Sequence, residues 1–366
     1  MKKALLLLAL VLCLLLSGCD SWISGSYISV KPYVPETPNQ QSGVITASSY
    51  THLYHALKSF GESGTEQAVI VIQEYDANRL DSDFQRAVKS LRSSSPIFSY
   101  AVNTVEYELG ASGGARAMAV SFTYIHNRTE IMKIQRVATM DDSKKIVYDA
   151  MDSCGSGVVM LVDSFEELDY QQLAADYAEM YPEIVMEVPQ LAVNVFPENG
   201  MRRVIEINFL YQHSRESLRA MQNVVQPVFY AAGLSVIEDA DTLIKFSQLY
   251  SFLMERYDYK IETSLTPAYS LLRHGVGDLK AFATVYAGMC RKADLDCQVV
   301  TGTRDGKSWC WNIIRVEDMY YHVDLTRSSA EGQLRFMTDA QMNGYVWDYS
   351  AYPPCGVPVT AEENTQ

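Results

Sequence analysis

The sequence predicts an α+β fold in which two copies of a small α+β unit precede a helix packed on an antiparallel sheet. The first supporting observation is a gapless match between FTYIHNRTEI, residues 122–131, and FLYQHSRESL, residues 209–218. The second is the pattern of residues 234–355, where amphipathic helical segments give way to short strands rich in β-branched and aromatic residues. A repeat of about 85 residues explains the first observation. A helix-on-sheet domain explains the second.

The N-terminus predicts an exported, lipid-anchored protein. In residues 1–18, MKKALLLLALVLCLLLSG, two lysines precede an apolar run too short for a stable membrane span, and small residues precede Cys19. Residues 16–19, LSGC, resemble a bacterial lipobox, which implies cleavage before Cys19 and acylation of its thiol with palmitate or a similar chain. We therefore expect the mature chain at the cell membrane, lipid-anchored on its extracytoplasmic face. An ordinary signal peptide followed by an accidental cysteine is the alternative.

Residues 19–47 predict a flexible linker, because they include SGSY and KPYVPETPNQQSG and show little apolar periodicity. A flexible coil of this length would hold the folded part on the order of 30 Å from the bilayer. The linker is therefore expected to give clearance from the lipid surface.

The charge balance excludes one class of partner. The chain has 30 Lys+Arg and 44 Asp+Glu, a formal charge of −14, and loss of Lys2 and Lys3 with residues 1–18 changes this to −16. An acidic chain repels nucleic acid, so we expect no DNA or RNA partner.

Two repeat units are predicted over 48–152 and 153–233. Upstream of the matched decapeptides, AVIVIQEYDANRLDSDFQ and GVVMLVDSFEELDYQQL each show an apolar run, an acidic turn and an amphipathic helix. Each unit is expected to run strand, helix, strand, strand, helix. In the first copy these elements are predicted at 68–73, 82–92, 104–108, 118–124 and 143–151. The second copy is predicted to end with a helix near Gly233.

The matched decapeptides share a Tyr-x-His-x-Arg motif. Its members are Tyr124, His126 and Arg128 in the first copy and Tyr211, His213 and Arg215 in the second. Alternation on a strand puts the three side chains on one face. A pair of binding sites is one interpretation, but a strand end that closes each unit by hydrogen bonding explains the same pattern, and we favour the latter.

Residues 234–355 predict a helix-on-sheet domain, and 356–366 a tail. The helix ADTLIKFSQLYSFLMERYDYK precedes HGVGDLKAFATVYAGMCRKADLDC, residues 274–297, in which a second helix is predicted to begin at Leu279. Leu279 is expected to be core, because it starts an apolar helical face. That face continues through Phe282, Ala283, Tyr286, Met289 and Cys290. Strands follow, with turns at RDG and VEDM.

Three blocks in this region occur in a characteristic order. They are Gly277-Asp278-Leu279, then Trp309-Cys310-Trp311-Asn312, and then YYHVDLT at 320–326. The order and spacing resemble a transglutaminase-like domain of the papain-like cysteine-enzyme group, whose motifs are G-x-C, H-x-W-N and Y-x-V-D-x-T. The resemblance covers about a third of the chain and implies a helix packed on an antiparallel sheet.

The resemblance also implies that catalysis has been lost. Members of the group use a thiolate at a helix N-terminus, a histidine that accepts its proton and a carboxylate that orients the histidine. Leu279 and Trp309 occupy the cysteine and histidine positions, and Asp324 alone keeps its residue type. A leucine cannot attack a carbonyl, and an indole has no basic nitrogen. We therefore expect a pseudoenzyme that binds a peptide, a cell-wall fragment or a partner protein.

Several residues are candidates for lining the groove that the family implies. Besides Trp309, they are Asp278, Trp311, Asn312, His322 and Trp347. Packing of the tryptophans in the small core is the competing interpretation, and it is favoured for Trp311.

The alternative function is an active thiol-dependent amidase, protease or transglutaminase-type enzyme with rearranged residues. Cys310 would then be the nucleophile, with His322 and Asp324, which share a strand face at i and i+2. Strand alternation points Cys310 to the face opposite Trp309, which favours a small buried residue or half of a disulfide.

Cysteine usage predicts neither a metal site nor a cofactor. Once Cys13 leaves with the signal and Cys19 is acylated, an odd number remains without metal-ligand spacing. These are Cys154, Cys290, Cys297, Cys310 and Cys355. At most two disulfides are possible, and the sequence does not pair the cysteines.

Overall fold

The computed structural model describes residues 45–257, 260 and 264–358. The predicted signal peptide, the predicted lipidation site Cys19 and most of the predicted linker lie outside these residues, as does the tail beyond 358. Within the described ranges, no helix combines the length and the apolar character needed to cross a membrane.

The first unit is a four-stranded mixed sheet with strand order β1-β2-β4-β3. β1 pairs in parallel with β2, and the other neighbours are antiparallel. Alternate residues of β2 are buried, so one face of the sheet carries the core, to which Leu53, Leu57, Ile70 and Phe84 contribute. The elements are β1 Ile45–Thr46, α1 Tyr50–Ser63, β2 Gln67–Val71, α2 Leu80–Ser94, α3 Pro96–Ala101, β3 Val102–Ser112, β4 Ala115–Tyr124 and α4 Arg128–Ile131.

The second unit repeats this topology, with strand order β5-β6-β8-β7 and β5 parallel to β6. Its core includes Val147, Met160, Ile205 and Ile207. Its elements are β5 Gln135–Val137, α5 Met140–Asp152, β6 Gly157–Val162, α6 Tyr170–Met180, β7 Gln190–Phe196, β8 Arg203–Leu210 and α7 Arg215–Leu234. Phe122 on β4 and Phe209 on β8, which the decapeptide match makes equivalent, are each 4% exposed.

One predicted helix belongs to the other unit. The helix expected at 143–151 as the last element of the first unit is α5, which follows β5 and packs on β6 in the second. Its start is fixed by a capping box between Thr139 and Asp142. β1 and β5 have two and three residues, too few to show strand alternation. The opening strand of each unit was therefore not predicted from the sequence.

The C-terminal domain packs helices on an antiparallel sheet with strand order β11-β10-β9-β12. Its elements are α8 Thr242–Met254, α9 Pro267–His274, α10 Leu279–Lys292, β9 Cys297–Arg304, β10 Lys307–Val316, β11 Met319–Val323, α11 Leu325–Glu331 and β12 Tyr345–Val346, with a 3-10 turn at Asp339–Gln341. The predicted α+β class, with a helix on an antiparallel sheet after two smaller units, is confirmed.

α10 is the central helix of this domain, and every residue from 281 to 290 is buried. The side-chain amide of Asn312 on β10 donates to the Ala283 carbonyl at 2.9 Å, which joins the sheet to the helix. On the opposite side, α7 contributes Val225 and Phe229 to the same core. A Cβ at Gly288 would lie 2.8 Å from both the Phe229 ring and Pro182, so glycine permits this close approach.

The expectation that Leu279 is core was wrong. Leu279 is only half-buried, because it is the first residue of α10 and stands before the stretch that is enclosed on all sides. The apolar spacing correctly identified the buried face but did not show where enclosure begins.

Candidate functional site

The carboxylate of Asp324 is buried, and one of its oxygens caps a helix. Asp324 is 1% exposed and is the N-cap residue of α11. Its Oδ1 accepts from the Thr326 amide at 3.0 Å, the Thr326 hydroxyl at 2.7 Å and the Arg327 amide at 3.1 Å. These bonds fix the side chain at the point where β11 ends and α11 begins.

The second oxygen of Asp324 is held by three side chains from β9, β10 and β12. Oδ2 accepts from Trp309 Nε1 at 2.8 Å, from the Tyr345 hydroxyl at 2.6 Å and from Arg304 Nη1 at 3.4 Å. The Arg304 guanidinium also lies over the rings of Trp309, at 5.1 Å, and Tyr345, at 5.2 Å. The negative charge of the carboxylate is therefore paired with Arg304. Both of its oxygens already accept hydrogen bonds from groups within the chain.

Trp309 makes one of the two interactions that a histidine would make at its position: it donates a hydrogen bond to Asp324 but cannot accept a proton. Its indole N–H donates to Asp324 as an imidazole N–H would. An imidazole has a second nitrogen that can accept a proton, whereas an indole has none. With Trp309 at this position, Asp324 keeps a hydrogen-bond donor, but no group there can accept a proton from a nucleophile.

The N-terminus of α10 holds no nucleophile. Asp278 is the N-cap residue, and its Oδ1 accepts from the Ala281 amide at 2.9 Å. Leu279 follows as the first helical residue. Lys280, the next residue, pairs with Glu179 of α6 at 2.7 Å. A helix N-terminus favours a thiolate, but this one presents a hydrocarbon.

Cys310 lies closer to this helix end than the sequence indicated. Strand alternation puts it on the face of the sheet opposite Trp309, as predicted, and that face packs on α10. Its thiol lies 3.8 Å from the Thr301 hydroxyl. The charge of Lys280 lowers the pKa of this thiol, and the charge of Asp278 raises it. Burial nevertheless raises the pKa of the Cys310 thiol above its ordinary value, so the thiol stays protonated at neutral pH.

His322 is buried and neutral, with both ring nitrogens in use. Nδ1 accepts from Trp311 Nε1 at 2.9 Å, because an indole nitrogen can only donate. The proton is therefore on Nε2, which donates to Asp339 at 2.8 Å. Burial lowers the pKa of His322 below its ordinary value, against the opposing effect of Asp339.

The trio of the alternative enzyme is not brought together. His322 pairs across the sheet with Ile313, three residues from Cys310 along β10, so the two side chains lie on opposite faces. His322 and Asp324 do share a face, as predicted, but His322 bonds to Asp339 and Asp324 bonds to Trp309. A proton path from Cys310 through His322 to Asp324 has no geometric basis in these contacts.

Comparison with known proteins assigns part of this region to a family. Residues 230–333 match the Transglut_core family model, the transglutaminase-like superfamily. This stretch is a transglutaminase-like domain. No curated protein matches the chain.

Three solved structures resemble the chain at low identity. One, described as a TGase, has a TM-score of 0.26 and 10% identity over 52% of this chain and 59% of its own. A candidate cysteine protease from Cytophaga hutchinsonii has a TM-score of 0.26 and 11% identity over 43% and 70% of the two chains. A candidate protease from Parabacteroides distasonis has a TM-score of 0.22 and 8% identity over 75% of this chain and 40% of its own. The chain thus spans less than two thirds of the TGase structure.

Most of the predicted groove residues of the transglutaminase-like domain lie in its core. Trp311, Asn312 and His322 are 0% exposed, and Trp347 is 7% exposed. The Trp347 ring packs edge-on against Trp311 at 5.8 Å and against His322 at 4.8 Å. Core packing therefore explains these residues, and the groove interpretation holds for none of the four. Asp278 and Trp309, each half-buried, remain at the surface of the domain.

His322, Asp339 and Cys355 lie close enough together to suggest a metal site. Their ligand atoms are within 4.8 Å of one another. The hydrogen bonds do not suit a cation, because Nδ1 accepts from Trp311 and a metal on Nε2 would leave the ring without a proton. The backbone amide of Cys355 donates to Asp339 at 3.1 Å, and burial raises the pKa of the Cys355 thiol to about 12. The trio is a structural hydrogen-bonded cluster.

A cleft of about 440 Å³ opens between the second unit and the transglutaminase-like domain. One wall is α6 and the segment after it, and the other is formed by α9 and the first turns of α10. Its charged lining residues are Asp176, Glu179, Glu187, Asp278 and Lys280. The Lys280–Glu179 ion pair joins the two walls. Sequence reasoning did not find this cleft, apart from Asp278, because its residues come from distant segments with no shared motif.

The Tyr-x-His-x-Arg motif has a structural role in both units. The Tyr124 hydroxyl donates to the Thr65 carbonyl at 2.9 Å, and His126 stacks on Tyr100 with ring centroids 3.9 Å apart. In the second copy, His213 Nδ1 lies 2.7 Å from Glu187, and Arg215 donates to the Ser153 carbonyl at 3.1 Å. The motif does not lie along a strand as expected, because β4 ends at Tyr124, β8 ends at Leu210, and each arginine begins a helix. The buried hydroxyl of Tyr211 has no hydrogen-bond partner among the described residues, so closure of each unit by the whole motif stays a prediction.

Proposed function

We propose that this protein is a lipid-anchored, extracytoplasmic binding protein whose transglutaminase-like domain recognises a ligand without turning it over. The observation that carries the proposal is the bond from the Trp309 indole to the buried carboxylate of Asp324. With Leu279 at the start of α10, the positions of the nucleophile and the base are both occupied by groups without the required chemistry.

The Asp324 contacts favour a settled non-catalytic role. In addition to Trp309, Arg304 and Tyr345 bind the same oxygen. A carboxylate with this many donors has little capacity left to orient a histidine. Restoring catalysis would require changes at two positions and release of the carboxylate from its present partners.

The cleft beside α10 is the best-supported ligand site. It combines carboxylates at its walls with apolar lining from Pro182, Val185, Met186 and Leu265, a mixture that is typical of ligand pockets. Four acidic side chains and one lysine give the lining an excess of negative charge. We propose a ligand that presents ammonium groups, on a peptide, a cell-wall fragment or a partner protein.

The catalytic part of the proposal is tested on residues 20–366 by peptide-amide hydrolysis and amine incorporation. The native chain, Asp324→Ala and Cys310→Ala are compared with a Leu279→Cys/Trp309→His double variant. We expect no turnover by the native chain, and the double variant, in which Arg304 and Tyr345 still hold Asp324, measures whether restoring the two side chains is enough for turnover. Native turnover that either alanine substitution abolishes would refute the proposal and support the thiol-enzyme alternative around Cys310.

The binding part is tested by calorimetry with the peptide acetyl-Ala-Lys-Ala-Lys-Ala-amide and its glutamate counterpart. We expect binding of the lysine peptide alone, weakened at least fivefold by Asp176→Asn or Glu179→Gln. Glu108→Gln, on the exposed edge of the first unit, is the matched control and should leave binding unchanged. Equal binding of both peptides would contradict a cation-selective cleft.

The anchor is tested by metabolic labelling with palmitate in a bacterial host. The full chain should carry the label and sediment with membranes, and Cys19→Ala should do neither. A labelled Cys19→Ala chain, or an unlabelled native chain, would remove the lipid anchor from the proposal.

A further inference from the structure

The cleft beside α10 already contains an ammonium group, that of Lys280. Its Nζ lies 2.7 Å from Oε2 of Glu179, and both residues line the cleft. The side chain of Lys280 is 54% exposed and that of Glu179 is 32% exposed. The pair is therefore in contact with water and within reach of a molecule that enters the cleft.

Glu179 differs from the other three acidic residues of the cleft. The carboxylate of Glu187 lies 2.7 Å from the imidazole of His213. Those of Asp278 and Asp176 accept hydrogen bonds from a backbone amide and from a glutamine side chain. Within the described residues, Glu179 is thus the one cleft carboxylate that binds an ammonium group. The proposed ligand would present the same chemical group to it.

The ion pair between Lys280 and Glu179 is a weak one. Half-exposed ion pairs contribute little free energy, and salt weakens them further. Lys280 is the second residue of α10, and a helix dipole repels a cation at the N-terminus. The helix that carries Lys280 therefore does not help to hold the ammonium group beside Glu179.

A second ion pair joins α10 to the segment after α6, and it is of a different kind. Lys292, the last residue of α10, lies 3.0 Å from Glu183, whose side chain is 5% exposed. The helix dipole favours a cation at this end, and removing it would leave a buried carboxylate unpaired. The Lys292 pair thus supports the packing of α10, whereas the Lys280 pair buries neither of its partners.

We propose that Glu179 is the ammonium subsite of the cleft and that Lys280 occupies this subsite until a ligand displaces it. The inference rests on the proposed function, which gives the cleft a ligand with ammonium groups. Because one ammonium group replaces another, Glu179 stays paired in both states. Lys280 is then a competitor built into the chain, and it lowers the affinity for every cationic ligand.

The neighbouring carboxylate of Asp176 determines which ligands displace Lys280. Asp176 lies three residues before Glu179 on α6 and lines the same cleft, and residues at this spacing are neighbours on a helix surface. A ligand with two ammonium groups can bind both carboxylates, whereas Lys280 has one ammonium group. Side chains two residues apart in an extended peptide point to the same side, so a Lys-x-Lys peptide suits the pair.

Calorimetry on residues 20–366 with acetyl-Ala-Lys-Ala-Lys-Ala-amide tests the displacement. Lys280→Met keeps the apolar stem of the side chain but removes the competing group, and it should bind the peptide at least threefold more tightly than the native chain. Lys145→Met breaks an exposed 2.7 Å pair with Asp149 on α5, makes the same change in net charge and should leave binding unchanged. In a Glu179→Gln background, Lys280→Met should gain less than twofold, because the contested carboxylate is absent.

Trace acetylation with acetic anhydride reports where the Lys280 amine lies. Burial lowers the pKa of Lys280, but the contact with Glu179 outweighs burial and raises the pKa overall. Loss of the pair should therefore increase the fraction of neutral, reactive amine. Labelling of Lys280 relative to Lys145 in the same sample should rise when the peptide is added. A peptide that covered an intact pair would make this ratio fall.

The outcomes separate this inference from the proposed function. Tighter binding by Lys280→Met together with a rising labelling ratio supports displacement. Equal or weaker binding by Lys280→Met, or a falling ratio, would overturn the inference and leave the ligand site in place. Absence of peptide binding to both the native chain and Lys280→Met would refute the cation-selective cleft and the inference with it.

Discussion

Trp309→Phe should destabilise the transglutaminase-like domain by about 1.5–3 kcal/mol, the usual range for a hydrogen bond to a charged group. Phenylalanine keeps an aromatic ring but removes the 2.8 Å bond to Asp324, whose carboxylate is 1% exposed and cannot recover the bond from water. Tyr345 and Arg304 remain on the same oxygen, which keeps the expected loss below that of an unpaired buried charge.

The assay is urea unfolding followed by tryptophan fluorescence and far-ultraviolet circular dichroism. Trp311 and Trp347 are buried and report on this domain in the variant. Repeating Trp309→Phe in an Asp324→Asn background should reduce its cost to about 0.5–1.5 kcal/mol, the range for a neutral hydrogen bond. Tyr349→Phe, at a 63% exposed tyrosine, is the control and should change stability by less than about 0.5 kcal/mol. An equal cost of Trp309→Phe in both backgrounds would refute the assignment of the effect to the Asp324 charge.

Three further predictions concern packing, pH and thiol reactivity. Gly288→Ala should destabilise the protein by about 1–3 kcal/mol in urea unfolding, because its Cβ would meet Phe229 and Pro182 at 2.8 Å; an unchanged midpoint would contradict that close approach. The pKa of His322 is lowered in the folded state, so its contribution to stability should be complete above about pH 6.5 and be lost as pH falls below that value. His322→Asn should therefore show a shallower loss of stability between pH 7 and 5, and an equal slope would contradict this. In the folded, reduced protein, iodoacetamide should modify half-buried Cys310 before buried Cys355. Modification of Cys310 should be slow at pH 7 and faster as the pH rises, because the pKa of its thiol is raised. Fast modification of Cys310 at pH 7 would contradict this and reveal an activated thiol.

The sequence predicted the fold class because each signal was local or repeated. The decapeptides containing Phe122 and Phe209 disclosed two units, and the apolar face of α10 disclosed the central helix. The opening strands β1 and β5 were missed, since their pairing partners β2 and β6 lie beyond a helix and no local pattern marks them.

The candidate site was predicted in part for a similar reason. The blocks around Leu279, Trp309 and Asp324 were recognisable because they lie in order along the chain. Their bonding was not predictable, since Arg304 and Tyr345 reach Asp324 from separate strands. The burial of Trp347 depends on where the last short strand lies against β9, which no residue spacing encodes.

The packing of α7 in the core of the transglutaminase-like domain has a consequence for how the chain is divided. The family match begins at residue 230, near the C-terminal end of a helix that runs from Arg215 to Leu234. A fragment cut at that boundary would discard Leu218, Val225 and Phe229 and leave the surface of α10 around Gly288 open to water. Because α7 supplies part of the core of this domain, a fragment made to study it should begin at or before Arg215.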